Sequence, residues 1–229
     1  IEKFVHLTPL LPLLEMEIPE PERDSFDVLG VTDKDASSMI DFMRLVGRLK
    51  TTKRTGWILR DVQLPESVSD HMYRMSLIAM AVSSSTTRNH LVKMALAHDL
   101  AEAVIGDLTP HCGVSREDKF KREEAAMADI RDRMLEGNQA GQELYSLWRE
   151  YELGESPAAI LMKDIDKFEM ILTADEYERA QNIALDEFFD STRDKFRTPQ
   201  IQVLVHELYR RRDSRINCRN PRPEPTSLD

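Results

Sequence analysis

Cysteine is nearly absent: Cys112 and Cys218, far apart, are the only two in 229 residues. That excludes a disulfide framework and a cysteine-based zinc finger, and a reducing compartment is the simpler expectation. Glycine is scarce at 8 residues, and β-branched runs between turn signals are few, which leaves mostly helix. No apolar run approaches the ~18–20 residues needed to cross a bilayer, so no membrane association is expected. Basic charge is short as well, with 31 Lys and Arg against 41 Asp and Glu for a formal net charge of −10. Such a surface repels a phosphate backbone and argues against a nucleic-acid polymer as partner. A small phosphorylated ligand in a local basic pocket remains compatible with it.

What is present fits one domain. Hydrophobic residues at 41% and charged residues at 31% are ordinary for a soluble globular protein, and the length suits one sizeable core. Residues 1–35, with Pro9, Pro12, Pro19 and Pro21, read as an N-terminal arm lying on the domain or on a partner subunit. The first residue is Ile, so a targeting remnant and an organelle stay open beside the plain expectation of a cytoplasmic, or also nuclear, protein. Residues 36–213 form the domain. Residues 214–229, rich in Arg and Pro, read as a solvated, disordered tail.

Within the domain the pattern predicts helices. Thr32 or Asp33 caps one carrying Met39, Phe42, Met43, Val46 and Leu49 inward. Residues 50–66 read as irregular. Ser67 with Asp70 three residues on is a weak capping box opening a helix through Val82. A helix over 91–106 follows, then a loop over 107–115. A charged helix runs to about Glu136, with Glu123 and Glu124 on a solvated face. A short amphipathic helix carries Leu144, Leu147, Trp148 and Tyr151. Ser156-Pro157 starts a helix to about Gln181. A short helix spans Leu185 to Phe189, and Thr198-Pro199 starts the last one, to about Arg212.

The helix over 91–106 is apolar nearly all round and so should lie inside the bundle. Yet it holds His98, Asp99 and Glu102, which share one side, with Asp107 just past Gly106. A buried, unpaired carboxylate is costly and tends to neutralise or find a cation. A metal would account for the cluster. His71 and Asp166 supply the missing donors, with Asp164 as the replacement should Asp166 prove a surface residue. Two imidazoles and two carboxylates suit Mn²⁺, Fe²⁺, Co²⁺ or Zn²⁺. So few protein ligands leave positions open for water and substrate, the catalytic rather than the structural arrangement.

These residues carry a resemblance. A His, an adjacent His-Asp pair on a buried helix and a distant Asp resemble the HD-domain metal-dependent phosphohydrolases. Arg54-Thr55-Gly56-Trp57, Pro65-Glu66, Asp70-His71, Ala97-His98-Asp99, Glu102, Gly106-Asp107-Leu108-Thr109-Pro110 and Lys163-Asp164-Ile165-Asp166 are similar to the 5′-deoxynucleotidase subgroup, the HD-domain-containing protein 2 family. The likeness covers about residues 36–213. It implies an all-α HD-domain helical bundle with one divalent metal in its core (Mn²⁺, Co²⁺, Mg²⁺, Fe²⁺ or Zn²⁺), held by His71, His98, Asp99 and Asp166. It implies hydrolysis of deoxyribonucleoside 5′-monophosphates to deoxynucleoside and phosphate. Glu102 and Asp107 would manage protons, or hold the attacking water and the leaving 5′-oxygen. Arg54 would bind the phosphate, Trp57 would border the sugar, and Glu66 would help shape the pocket. Lys121 matches a looser pattern and would complete the phosphate site. A homodimer is implied too.

Each residue has a plainer reading. His71 could be a helix cap, His98 and Asp99 a structural hydrogen bond, Glu102 an orienting group for a ligand, and Asp107 a loop cap. Arg54 could be a solvated charge and Trp57 core filler. Two rival functions remain: an HD phosphohydrolase acting on a triphosphate, cyclic nucleotide or alarmone, and a nucleotide-binding protein without turnover.

Overall fold

The computed structural model describes residues 33–109 and 112–219. The expected N-terminal arm through Thr32, His111 and the tail from residue 220 lie outside the described residues. Among the described residues the fold is all-α, with a single isolated antiparallel bridge, Lys53 to Ser67, and no strand. No helix among them is long and apolar enough to cross a membrane.

Helix α1 spans Asp33–Gly47 and runs into a tightened turn, Arg48–Lys50. The stretch to residue 66, expected to be irregular, is more ordered than that. It holds a single helical turn, α2 (Thr55–Ile58), and its ends are tied together. Val68 N–H donates to the Thr52 carbonyl (2.9 Å) and Arg54 N–H to that of Glu66 (3.3 Å). Helix α3 (Val68–Val82) opens on a complete capping box: the Ser67 hydroxyl accepts from Asp70 N–H, and the Asp70 carboxylate accepts from Ser67 N–H.

Helix α4 is Ser85–Ala97 and α5 is Glu102–Ile105. The single helix expected over 91–106 is therefore broken at His98–Ala101. There Leu100, Glu102 and Ala103 donate to carbonyls three residues back, at 3.0–3.2 Å. In that tighter geometry side chains three apart eclipse one another, so Asp99 and Glu102 stack on one side. Gly106, at φ 76°, then turns the chain out, a conformation that favours glycine.

Helix α6 is Arg116–Asp129, capped by Ser115, and loosens into a wider π-type turn over Ile130–Met134. Helix α7 is Gln139–Leu153, capped by Asn138. Helix α8, Pro157–Gln181, starts and ends where its Ser-Pro signal and length expectation put it. A short α9 (Asp186–Thr192) leads to α10, Pro199–Arg219. Helix α10 outruns the expected end at Arg212, so the first residues assigned to the tail are helical. The reason is ionic: Arg212 and Arg215 are drawn onto Glu178, Asp175 and Asp186.

Two apolar clusters form the interior. One gathers Trp57, Met75, Met94, Met162, Ile165 and Phe189 with the packed faces of α8 and α10. The other gathers Leu49, Met72, Leu100, Met127, Ile130 and Trp148. Along α3, Met72 belongs to one cluster and Met75 to the other; along the α4–α5 break, Ala97 and Leu100 do the same. His98 falls between Ala97 and Leu100 at the second changeover, and His71 stands directly before Met72 at the first, so both imidazoles sit next to the border between the cores.

Candidate metal centre and active site

The capping box fixes the first turn of α3 and points His71 at α8. Asp166 and Glu169 lie one turn apart on α8, on the same face, and grip the ring from both sides. His71 Nδ1 donates to Glu169 Oε2 at 2.5 Å, while Nε2 faces Asp166 Oδ1 at 3.3 Å. His98 Nδ1 donates to the Ala95 carbonyl at 2.9 Å, so its Nε2 is left with a lone pair facing Asp99 Oδ2 at 3.1 Å. Donor atoms of His71, His98 and Asp166 all lie within 4.8 Å of one another, and Asp99 Oδ2 is 3.9 Å from His71 Nε2.

Both Nε2 atoms are buried and make no hydrogen bond. Two orphaned imidazole nitrogens converging with two carboxylates is a donor set that fits a divalent cation. The electrostatics agree. Burial and Arg54 act to lower the His71 pKa, but Asp166 and Glu169 outweigh them and lift it to about 9. Burial likewise acts to raise Asp99 and Asp166, yet the imidazoles and Arg54 hold both far below the usual carboxylate range. The pocket is built to hold positive charge at the Nε2 position.

Groups behind these donors fix them. Arg74 donates to Glu169 (2.8 Å), which keeps that buried carboxylate aimed at His71. The Tyr151 hydroxyl donates to Asp166 Oδ2 (2.7 Å), and its ring packs edge-on to His98. Neither Glu169 nor Tyr151 stood out in the sequence. The spacing of three between Asp166 and Glu169 was the available signal for the first. Asp164, the reserve ligand, is fully buried but turned elsewhere. Its Oδ2 accepts from Arg197 N–H, Thr198 N–H and the Thr198 hydroxyl, at 2.6, 2.7 and 2.9 Å, and so caps α10.

A cavity of about 460 Å³ opens from the donor cluster, lined among others by Arg54, Trp57, Asp99, Glu102, Asp107 and Asp166. Arg54, held at the start of α2, reaches Asp99 at 3.4 Å. Asp107 Oδ2 accepts from Thr55 N–H at 2.6 Å, so the turn after Gly106 is tied to the residue beside Arg54. Glu102 is buried with one oxygen unpartnered. Burial first, and then Asp99 and Asp107, push its pKa well above the ordinary value. Trp57 and Phe188 form an apolar wall, their rings 4.4 Å apart.

Two expected pocket residues sit elsewhere. Glu66 is behind the wall: it accepts the Trp57 indole N–H at 2.9 Å and orients that ring. Lys121 is on the outer face of α6, paired with Glu117 at 2.7 Å and well exposed. Two residues along a helix turn a side chain by about 200°, and Lys119 faces the cavity instead. Glu123, expected on a solvated face, is buried one turn from Lys119 and pairs with it at 3.3 Å.

A donor cluster that fits a divalent cation, beside Arg54 and two further carboxylates, is suited to metal-assisted hydrolysis of a phosphate ester. Comparison with known proteins agrees. The HD domain family model matches residues 46–205. The 5′-deoxynucleotidase HDDC2 of Bos taurus is 44% identical over 192 residues, covering 82% of this chain and 93% of its own. That of Homo sapiens is 45% identical over 184 residues, covering 79% and 89%. Among solved structures, the PH0347 protein from Pyrococcus horikoshii OT3 superposes with a TM-score of 0.62 at 31% identity, over 75% of this chain and 99% of that one.

Proposed function

The chain belongs to the HD-domain family, and from that premise we propose that it is a divalent-metal-dependent 5′-deoxynucleotidase, as its named relatives are. The observation that carries the reading is the pair of orphaned Nε2 atoms meeting two carboxylates at the mouth of a cavity that also holds Arg54. His71, His98, Asp99 and Asp166 would hold the metal, with Mn²⁺, Fe²⁺, Co²⁺ and Zn²⁺ the ions best suited to such donors. When bound, the metal supplies Lewis acidity toward the phosphoryl oxygens and a more acidic water.

The chain's own residues do the rest. Arg54 clamps the phosphate with its planar fork. Hydrolysis forms a bond from water oxygen to phosphorus and breaks the bond to the 5′-oxygen. Asp107, with one oxygen committed to Thr55 N–H, keeps the other for the water's proton. Glu102 sits where the neutral acid is favoured, and so suits proton donation to the 5′-oxygen. Trp57, its N–H already taken by Glu66, gives a ribose 2′-hydroxyl no partner. An apolar wall of this kind disfavours an added hydroxyl by up to about 10²-fold. The same reading carries a homodimer. Met43, Tyr73 and Leu96 border an apolar groove at the surface of α1, α3 and α4, the face a second copy would cover.

The test is phosphate release from a panel of deoxy- and ribonucleoside 5′-monophosphates with Mn²⁺ or Co²⁺ present. Deoxynucleotides should be cleaved tens of times faster or more, and His98→Ala or Asp99→Ala should abolish turnover. Turnover surviving either substitution defeats the mechanism, and nucleotide binding without release favours a non-catalytic protein.

A further inference from the structure

We propose that Lys119, anchored by Glu123, is a second phosphate-binding residue of this active site, supplied by α6 alongside Arg54. The proposal rests on the phosphohydrolase reading above and extends it to a residue that no motif picked out.

Four cationic side chains line the cavity: Arg54, Lys119, Lys163 and Lys167. Lys167 is committed, its ammonium donating to the Lys163 carbonyl (2.6 Å) and pairing with buried Asp164 (3.0 Å). Lys163 lies over the Tyr151 ring, 4.0 Å from its centroid, and burial makes it a weaker base. Lys119 differs from both. Its Nζ is 3.3 Å from Glu123 Oε1 and 4.0 Å from Glu102 Oε1, the second distance too long for a hydrogen bond. An ammonium has three donors, so at least two N–H groups remain for a ligand in the cavity.

Stability alone does not explain the arrangement. A buried carboxylate such as Glu123 costs free energy, and a buried ion pair is commonly no better than apolar residues of the same size. Here the pair fixes a long, flexible side chain at the cavity wall. Charge balance shows the need. The carboxylates of Asp99, Asp107 and Asp166 already match Arg54 and a divalent ion, so an incoming phosphate dianion calls on the remaining cations of the wall, of which Lys167 is already held by Asp164. Burial acts against the Lys119 ammonium, but Glu123, Glu102 and Asp99 outweigh it and raise its pKa, so the charge is kept.

The experiment uses the metal-loaded full chain and two readouts: steady-state kinetics with a deoxynucleoside 5′-monophosphate, and calorimetric titration with inorganic phosphate. Lys119→Met should weaken phosphate binding about tenfold or more, the scale of one charge-assisted hydrogen bond, and raise KM in parallel. Lys119→Arg should recover most of both. Glu123→Gln, which keeps the cation but loosens it, should fall between. Phosphate affinity and KM unchanged in Lys119→Met overturn the proposal. So does a fall in kcat alone with a displaced pH profile, because Lys119 would then act only through Glu102. Should Lys119→Met fail to fold, Lys119→Arg and Glu123→Gln decide by the same readouts. Phosphate is the product of any phosphohydrolase, so its titration judges Lys119 even if the wild-type chain turns over no deoxynucleotide, an outcome that would instead overturn the deoxynucleotidase reading.

Discussion

His71 and His98 would serve as metal donors through what their other ring nitrogen does. A buried carboxylate takes one Nδ1–H and a backbone carbonyl the other, which leaves each Nε2 aimed into the cluster. Such supporting bonds commonly matter 10–100-fold to metal affinity. Glu169→Gln should therefore weaken metal binding about 10–100-fold in a chelator competition while the fold survives. Metal affinity within twofold of wild type would show that Glu169 does not orient the ligand. At this scale the sequence was informative where a residue's chemistry clashed with its surroundings. His98, Asp99 and Glu102 in an apolar helix were conspicuous for that reason. Glu169, Glu123 and Lys119 were not, because on charged or mixed stretches an inward charge looks like any solvated one.

Three helix starts were legible because a side chain marks each. Ser67, Ser115 and Ser156 each accept from the backbone N–H three residues on, and Pro157 marks the first turn of α8. The break between α4 and α5 carries no such mark. No Gly or Pro stands between His98 and Ala101, and the change is in which carbonyl each N–H chooses. The cap of α10 was hidden for another reason: Asp164 is more than thirty residues away in the chain. Replacing it by Ala leaves the Arg197 and Thr198 N–H groups without their acceptor and the Lys167 ammonium without its carboxylate. A loss of about 2–4 kcal/mol is expected in urea unfolding, with metal content unchanged. A loss under about 0.5 kcal/mol, the level of an ordinary surface change, would mean that the cap contributes nothing.

The whole molecule is tied at its far end by charge. Glu178 accepts from Arg212, Arg215 and Leu185 N–H, which fastens α10 to α8. Burial acts to raise the Glu178 pKa, but Arg212, the Leu185 amide and Arg215 outweigh it and hold it below the ordinary value. A carboxylate depressed in the folded state stabilises it at neutral pH, and that contribution fades as pH falls through the acid range below the unfolded pKa. Thermal midpoints should drop on acidification from about pH 5 downward, and Glu178→Gln should flatten that drop while lowering the midpoint at pH 7. An unchanged slope in the variant would separate acid stability from this network. The all-α class was readable from composition and period, and the Arg residues near the end looked like a solvated tail. That they fold back depends on acids from α8 and α9, which no local pattern connects to them.

The seam between the two apolar clusters gives the donor site a dynamic role. The buried members of the two clusters are separate sets, bridged by Leu144, so each cluster could open by itself. An ion gripped by α3, α8 and the α4–α5 break would make the halves breathe together. In hydrogen–deuterium exchange, amides of α6 and of α8 should share one opening rate with metal bound and separate into two after chelation.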